Sequence, residues 1–68
     1  MVTYMLSETS EGWVLYDDEG RTVVLTGNLN SVLLDAARVM RDNGDSVQGG
    51  WALVASEEAM TLRFTPAA

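Results

Sequence analysis

Two short acidic runs, Asp17-Asp18-Glu19 and Glu57-Glu58, are the residues of this chain best placed to do chemistry. Histidine, cysteine and lysine do not occur among its 68 residues. The usual general bases, the thiolate and amine nucleophiles and the soft metal ligands are therefore missing. Catalysis would fall to carboxylates, tyrosine, serine or threonine. Paired carboxylates can hydrolyse a glycosidic bond from the two sides of a cleft, but a domain this small has little room for one. Calcium takes about six to eight oxygens from a shaped loop, more than consecutive turn residues can supply. Both acidic runs fall in hairpin turns, where carboxylates are usually solvated and help to start the turn. Gly27-Asn28-Leu29-Asn30 has one glycine and makes no phosphate cradle. The expectation is a chain that is not an enzyme, with no cofactor and no metal site.

Trp13, Trp51, Tyr4 and Tyr16 could stack on single-stranded bases. The stronger expectation is that the tryptophans form the core of a sheet otherwise built from small residues. Ten acidic residues stand against four arginines, a net charge of -6. That balance argues against direct nucleic-acid binding, which depends on neutralising phosphates. It fits a basic protein partner, mimicry of a nucleic acid's charge, or solubility alone. The lack of cysteine suits a reducing compartment. No apolar run approaches the roughly 20 residues of a membrane span, and no basic segment precedes an apolar one at the N-terminus. A soluble, cytoplasmic protein without membrane contact is expected. Lysine and isoleucine, whose codons are AT-rich, are both missing, which points to a high-GC bacterium or its phage.

A helix over residues 31–43 is the element that must organise the rest. Asn30 suits its N-cap, Leu29 and Leu34 are spaced as a hydrophobic staple, and Gly44 suits the positive-φ exit. At about 100° per residue, Leu29, Val32, Leu33, Ala36, Ala37, Val39 and Met40 share one face, with Leu33 as the expected central core contact. Ser31, Asp35, Arg38, Arg41 and Asp42 take the other face. There Asp35–Arg38 and Arg38–Asp42 are spaced to pair. Leu34 is the misfit between Arg38 and Arg41, so these three make one cationic, apolar candidate contact.

Strands are expected over residues 2–6, 13–16, 21–26, 51–55 and 60–65, with polar turns at 7–12, 17–20 and 56–59. Gly20 suits the positive-φ place of a bulged hairpin, and Pro66 stops the last strand. The expectation is one α+β domain over 1–68, a mostly antiparallel sheet in the order β-β-β-α-β-β with the helix on one face. Gly12-Trp13-Val14-Leu15 and Gly50-Trp51-Ala52-Leu53 hint at two similar hairpins, through duplication or coincidence. In the last strand Met60, Leu62 and Phe64 oppose Thr61, Arg63 and Thr65. The middle strands are apolar on both faces, and one helix can cover only one of them. Val14, Tyr16 and Val54 would then form an uncovered apolar patch in the centre of the sheet, of the kind that marks a partner surface. The alternative is a curled sheet that buries both sets.

The run of strand, Gly-Trp strand, acidic turn with glycine, a strand ending Thr26-Gly27-Asn28 and a helix with Ala36-Ala37 resembles the N-terminal domain of antitoxins of the HicAB kind. The likeness covers roughly residues 2–43. It lacks that family's usual proline after the second strand, and residues 44–68 are not expected to form the DNA-binding domain that those antitoxins carry. The resemblance implies a protein-binding role. The expected function is a non-enzymatic, acidic protein-binding module, an inhibitor that docks on a larger protein. Its alternative is an accessory protein that homodimerises through the apolar sheet face. Val14, Tyr16, Val54, Leu34, Arg38 and Arg41 are the candidate partner-binding residues.

Overall fold

The structure is a computed structural model that describes residues 3–54 and 59–67. Its elements are β1 (Tyr4–Thr9), β2 (Gly12–Asp17), β3 (Thr22–Leu25), α1 (Leu29–Asp42), β4 (Gly49–Val54) and β5 (Thr61–Pro66). The strands form one five-stranded antiparallel sheet in the order β3-β2-β1-β5-β4. The expected α+β class and β-β-β-α-β-β order are what the chain adopts. The acidic pair Glu57-Glu58, with Val2 and Ala55, lies outside the described residues.

Several bounds differ from expectation for physical reasons. β1 runs on through Ser7, Glu8 and Thr9, which pair with Val14, Trp13 and Gly12, so the turn shrinks to Ser10-Glu11. Polar side chains that face water do not stop a strand, because its hydrogen bonds are made by backbone. β4 starts at Gly49 rather than Trp51. Gly49 has φ +147°, and a Cβ there would collide with the Thr65 carbonyl oxygen and the Phe64 ring. Only glycine lets the edge strand approach β5 so closely.

The helix begins at Leu29, two residues earlier than expected. Asn28 is its N-cap: its side-chain oxygen accepts from Ser31 N–H at 2.9 Å, and the Ser31 hydroxyl donates to the Asn28 carbonyl at 3.1 Å. Asn30 lacks that reciprocal partner and lies inside the first turn. With Asn28 as cap, Leu29 and Leu34 no longer bracket it, and Leu34 is 72% exposed, so the staple does not form. The C-terminus closes as expected on Gly44, at φ +83°. Gly44 N–H donates to Arg41 O at 2.9 Å and Asp45 N–H to Met40 O at 3.0 Å, the two bonds of a Schellman motif.

The core lies between α1 and one face of the sheet. Val32, Ala36 and Met40, spaced four apart, meet Tyr4, Leu6, Trp13, Leu15, Leu25 and Phe64. Leu33, the expected centre of the helical face, is only half-buried on its flank, as are Val39 and Ala37. The helix is turned so that the Val32 stripe, rather than the Leu33 side, points into the sheet. Both tryptophans belong to this layer. Trp13 is buried, and Trp51 packs edge-on against Phe64 with centroids 5.3 Å apart. The two Gly-Trp hairpins are not equivalent in space, because β2 lies inside the sheet next to β1 whereas β4 is an edge.

Candidate functional site

Strand register assigns every sheet residue to a face. Leu15 pairs with Leu6, Leu6 with Leu62 and Leu62 with Leu53, and this row lies on the helix side. Adjacent residues turn the other way. Val24, Val14, Ser7, Thr61 and Val54 therefore form one row across the uncovered face. Thr22, Tyr16, Met5, Arg63 and Ala52 form the next. Val14, Tyr16 and Val54 are thus brought to one open face, and none of them belongs to the core. The sheet has two distinct sides; it is not curled to bury both sets.

The patch departs from expectation in one respect. β3 and β4, which carry Val24 and Val54, are the two edges, and the centre of the open face is polar. Ser7 Oγ lies 3.1 Å from Thr61 Oγ1 and 3.3 Å from the Tyr16 hydroxyl, so a seam of hydroxyls runs between two apolar flanks. Because residues 7–12 read as a turn, Ser7 has no place in the sheet until the register is known.

The charge of this face is informative. The acids of the described strands, Glu8 and Asp17, point to the helix side, and the other described acids lie in turns, in α1 or in the segment after it. Among the described strand residues the open face carries no carboxylate and a single cation, Arg63, which is exposed. In a chain with ten acidic residues this is a strong segregation. Arg63, Met5, Ser7 and Thr61 were not among the expected site residues. The signal for Arg63 lay in the alternation of the last strand.

Leu34, Arg38 and Arg41 are exposed together on the outer side of α1, on the far side of the molecule from the open sheet face. The six candidates therefore make two separate surfaces. The expected pairs of Arg38 with Asp35 and Asp42 do not form; among the described residues the ion pairs are those of Arg21 with Asp17 and Glu19.

That Arg21 cluster overturns the picture of a solvated acidic turn. Asp17 is buried. Its Oδ1 accepts from Glu19 N–H at 2.9 Å and Arg21 N–H at 3.0 Å, and its Oδ2 accepts from Arg21 Nε at 2.6 Å. Burial alone raises the carboxyl pKa, but the Arg21 backbone and side chain together with the Glu19 amide outweigh it and hold Asp17 below its ordinary value. These bonds fold the turn that joins β2 to β3. Both carboxylate oxygens are engaged by the chain itself, so the carboxylate is structural. Tyr4 is similar: its hydroxyl donates to Asp45 Oδ2 and accepts from Asn43 Nδ2 at 3.2 Å, tying β1 to the end of α1. Burial, then the Asp45 hydrogen bond, raises the Tyr4 pKa.

Between these two clusters, Tyr4, Leu15, Asp17, Arg21, Val39 and Asn43 line a cavity of about 10 Å³, room for roughly one water. No described helix is long and apolar enough to cross a membrane. Among the described residues no group of three acidic side chains is gathered to hold a metal ion. No protein-family model, curated protein or solved structure matches the chain. The resemblance to HicAB-type antitoxins rests on the quoted motifs alone.

Proposed function

We propose that the chain is a non-catalytic protein-binding module, a small inhibitor or antitoxin-like protein that docks its open sheet face onto a larger partner. The observation that carries this reading is the segregation of charge: the uncovered face is free of carboxylate among its described residues. Tyr16, Met5 and Arg63, residue types enriched where proteins meet, stand there among valines, and the acidic types depleted at interface cores are kept off it. The hydroxyl seam supplies hydrogen-bonding groups, and Arg63 offers a charge for a partner's carboxylate. The acidic turns and helix then serve solubility and orient approach.

The test uses the protein and two variants as bait in lysate of the source cell, with circular dichroism as a check on folding. Tyr16→Glu places a charge in the middle of the face and should abolish the capture seen with the native chain, while Leu34→Ala should retain it. Capture that survives Tyr16→Glu and is lost with Leu34→Ala would move the working surface to the outer side of α1. Unfolding by Tyr16→Glu would make Tyr16 a core residue and remove the basis of the reading.

A further inference from the structure

Among the described residues β4 pairs with β5 alone, so one side of its backbone is an open edge there. Ala67 N–H donates to Gln48 O at 2.9 Å, which makes Gln48 and Ala67 a hydrogen-bonded pair. Alternation then gives Gly50, Ala52 and Val54 the bonds to β5 and turns the N–H and C=O of Gly49, Trp51 and Leu53 outward. Natural edges are usually blunted by charge, proline, a bulge or shortness. β4 has six residues, Gly49–Val54, with no charge and no proline. The opposite edge, β3, has four residues and begins beside the Arg21 ion cluster. Leu53 adds an apolar side chain that is 70% exposed on the helix side, beyond the reach of α1.

The strand also suits its own copy. Two molecules of net charge -6 repel wherever carboxylates face each other. The described residues of β4 and β5 carry one charge, that of Arg63. Among the described residues this edge is where two copies approach without apposing acids, and nothing in the strand selects a charged peptide. An antiparallel strand meets its copy about a two-fold axis, the commonest closure of a homo-oligomer. With the axis at Ala52, Trp51 and Leu53 lie opposite Leu53 and Trp51 of the second copy. Each of those two pairs exchanges both backbone hydrogen bonds, and apolar side chains meet on the helix side.

We propose that β4 pairs antiparallel with β4 of a second copy about a two-fold axis at Ala52, joining the two sheets into one continuous sheet. Both helices then lie on one side and both open faces on the other. The pairing stands independently of what docks on the open face. A single strand pair is at the small end of interfaces, so the dimer is concentration-dependent.

Sedimentation across two decades of concentration tests it. The native mass should rise from 7.4 kDa towards twice that value. Leu53→Lys puts a charge on the edge at an exposed position and should hold the mass at that of the monomer with an unchanged circular dichroism spectrum. Tyr16→Glu should dimerise like the native chain. Since the chain has no cysteine, Ala52→Cys gives one clean probe. Residue 52 faces its copy as a non-hydrogen-bonded pair with Cα atoms about 4.5 Å apart, within disulfide reach, and the variant should cross-link under mild oxidant. A native chain that stays monomeric throughout overturns the proposal. So does a dimer unaffected by Leu53→Lys, a dimer dissolved by Tyr16→Glu, or an Ala52→Cys dimer whose thiols stay reduced.

Discussion

Asp17 is the residue whose environment differs most from its neighbours'. Asp18 and Glu19 sit in the same turn and are exposed, whereas Asp17 is enclosed by three donors. Linkage gives this a sign. The folded-state pKa is lowered, so Asp17 stabilises the fold fully above the unfolded value of about 3.9. That contribution drains away as pH falls through the lower folded value. Asp17→Asn keeps the shape but loses the charge and one acceptor. Denaturant melts should show it less stable than the native chain near neutral pH, with the gap closing as the pH is taken down to about 2. A gap that stays constant over that range would mean that the carboxylate's charge contributes nothing. The pattern Asp-Asp-Glu-Gly shows a turn but not which acid is inward. That depended on the parity of β2, where Asp17 follows Trp13 and Leu15 at two-residue steps.

At the scale of elements, α1 supplies the covering layer for the sheet. Met40 is 1% exposed and should cost about 2–5 kcal/mol when cut to alanine, a large share of what a domain of this size has. Leu33→Ala, at a half-buried flank, should cost less than Met40→Ala. Leu34→Ala should cost under about 1 kcal/mol. Melts of the three variants giving equal losses would contradict the orientation of the helix. The existence of this helix, its exit at Gly44 and the number of strands were legible because capping, the 3.6-residue period and turn chemistry are local. Its rotation was not. Val32 and Leu33 both fit one broad apolar stripe, and only the sheet beneath decides which points inward. Strand order was equally illegible. Nothing in Trp51–Val54 says that it is an edge, and the apolar patch expected at the sheet's centre became two flanks around Ser7 and Thr61. Of the six candidate residues, alternation placed three on the open face and helical spacing placed three on the outer side of α1. No local pattern could tell that these two sides are opposed across the molecule.

For the whole molecule, the charge is unevenly spread. The described acids occupy the turns, the helix, the segment after it and the helix side of the sheet, while the open face carries Arg63. Four arginines cannot offset ten carboxylates, and charges beyond about 8 Å are screened at physiological salt. The expected result is no measurable affinity for duplex or single-stranded DNA at that salt. Fluorescence anisotropy that found micromolar binding weakening with added salt would overturn this and make Arg63 the centre of a nucleic-acid site.

The central strand of the sheet, β1, pairs on one side with the last described strand, β5, Met5 opposite Arg63. During synthesis, at roughly 5–20 residues per second, β1 waits several seconds for that neighbour. Until β5 emerges, Leu6 has no Leu62 beside it and Phe64 is missing from the core. A nascent chain halted before Thr61 therefore has the β1–β2 and β2–β3 pairings but neither the β4–β5 pairing nor a closed interior, and it offers β1 as a raw edge. Truncated products of this gene should be cleared by proteases rather than accumulate as partly working protein.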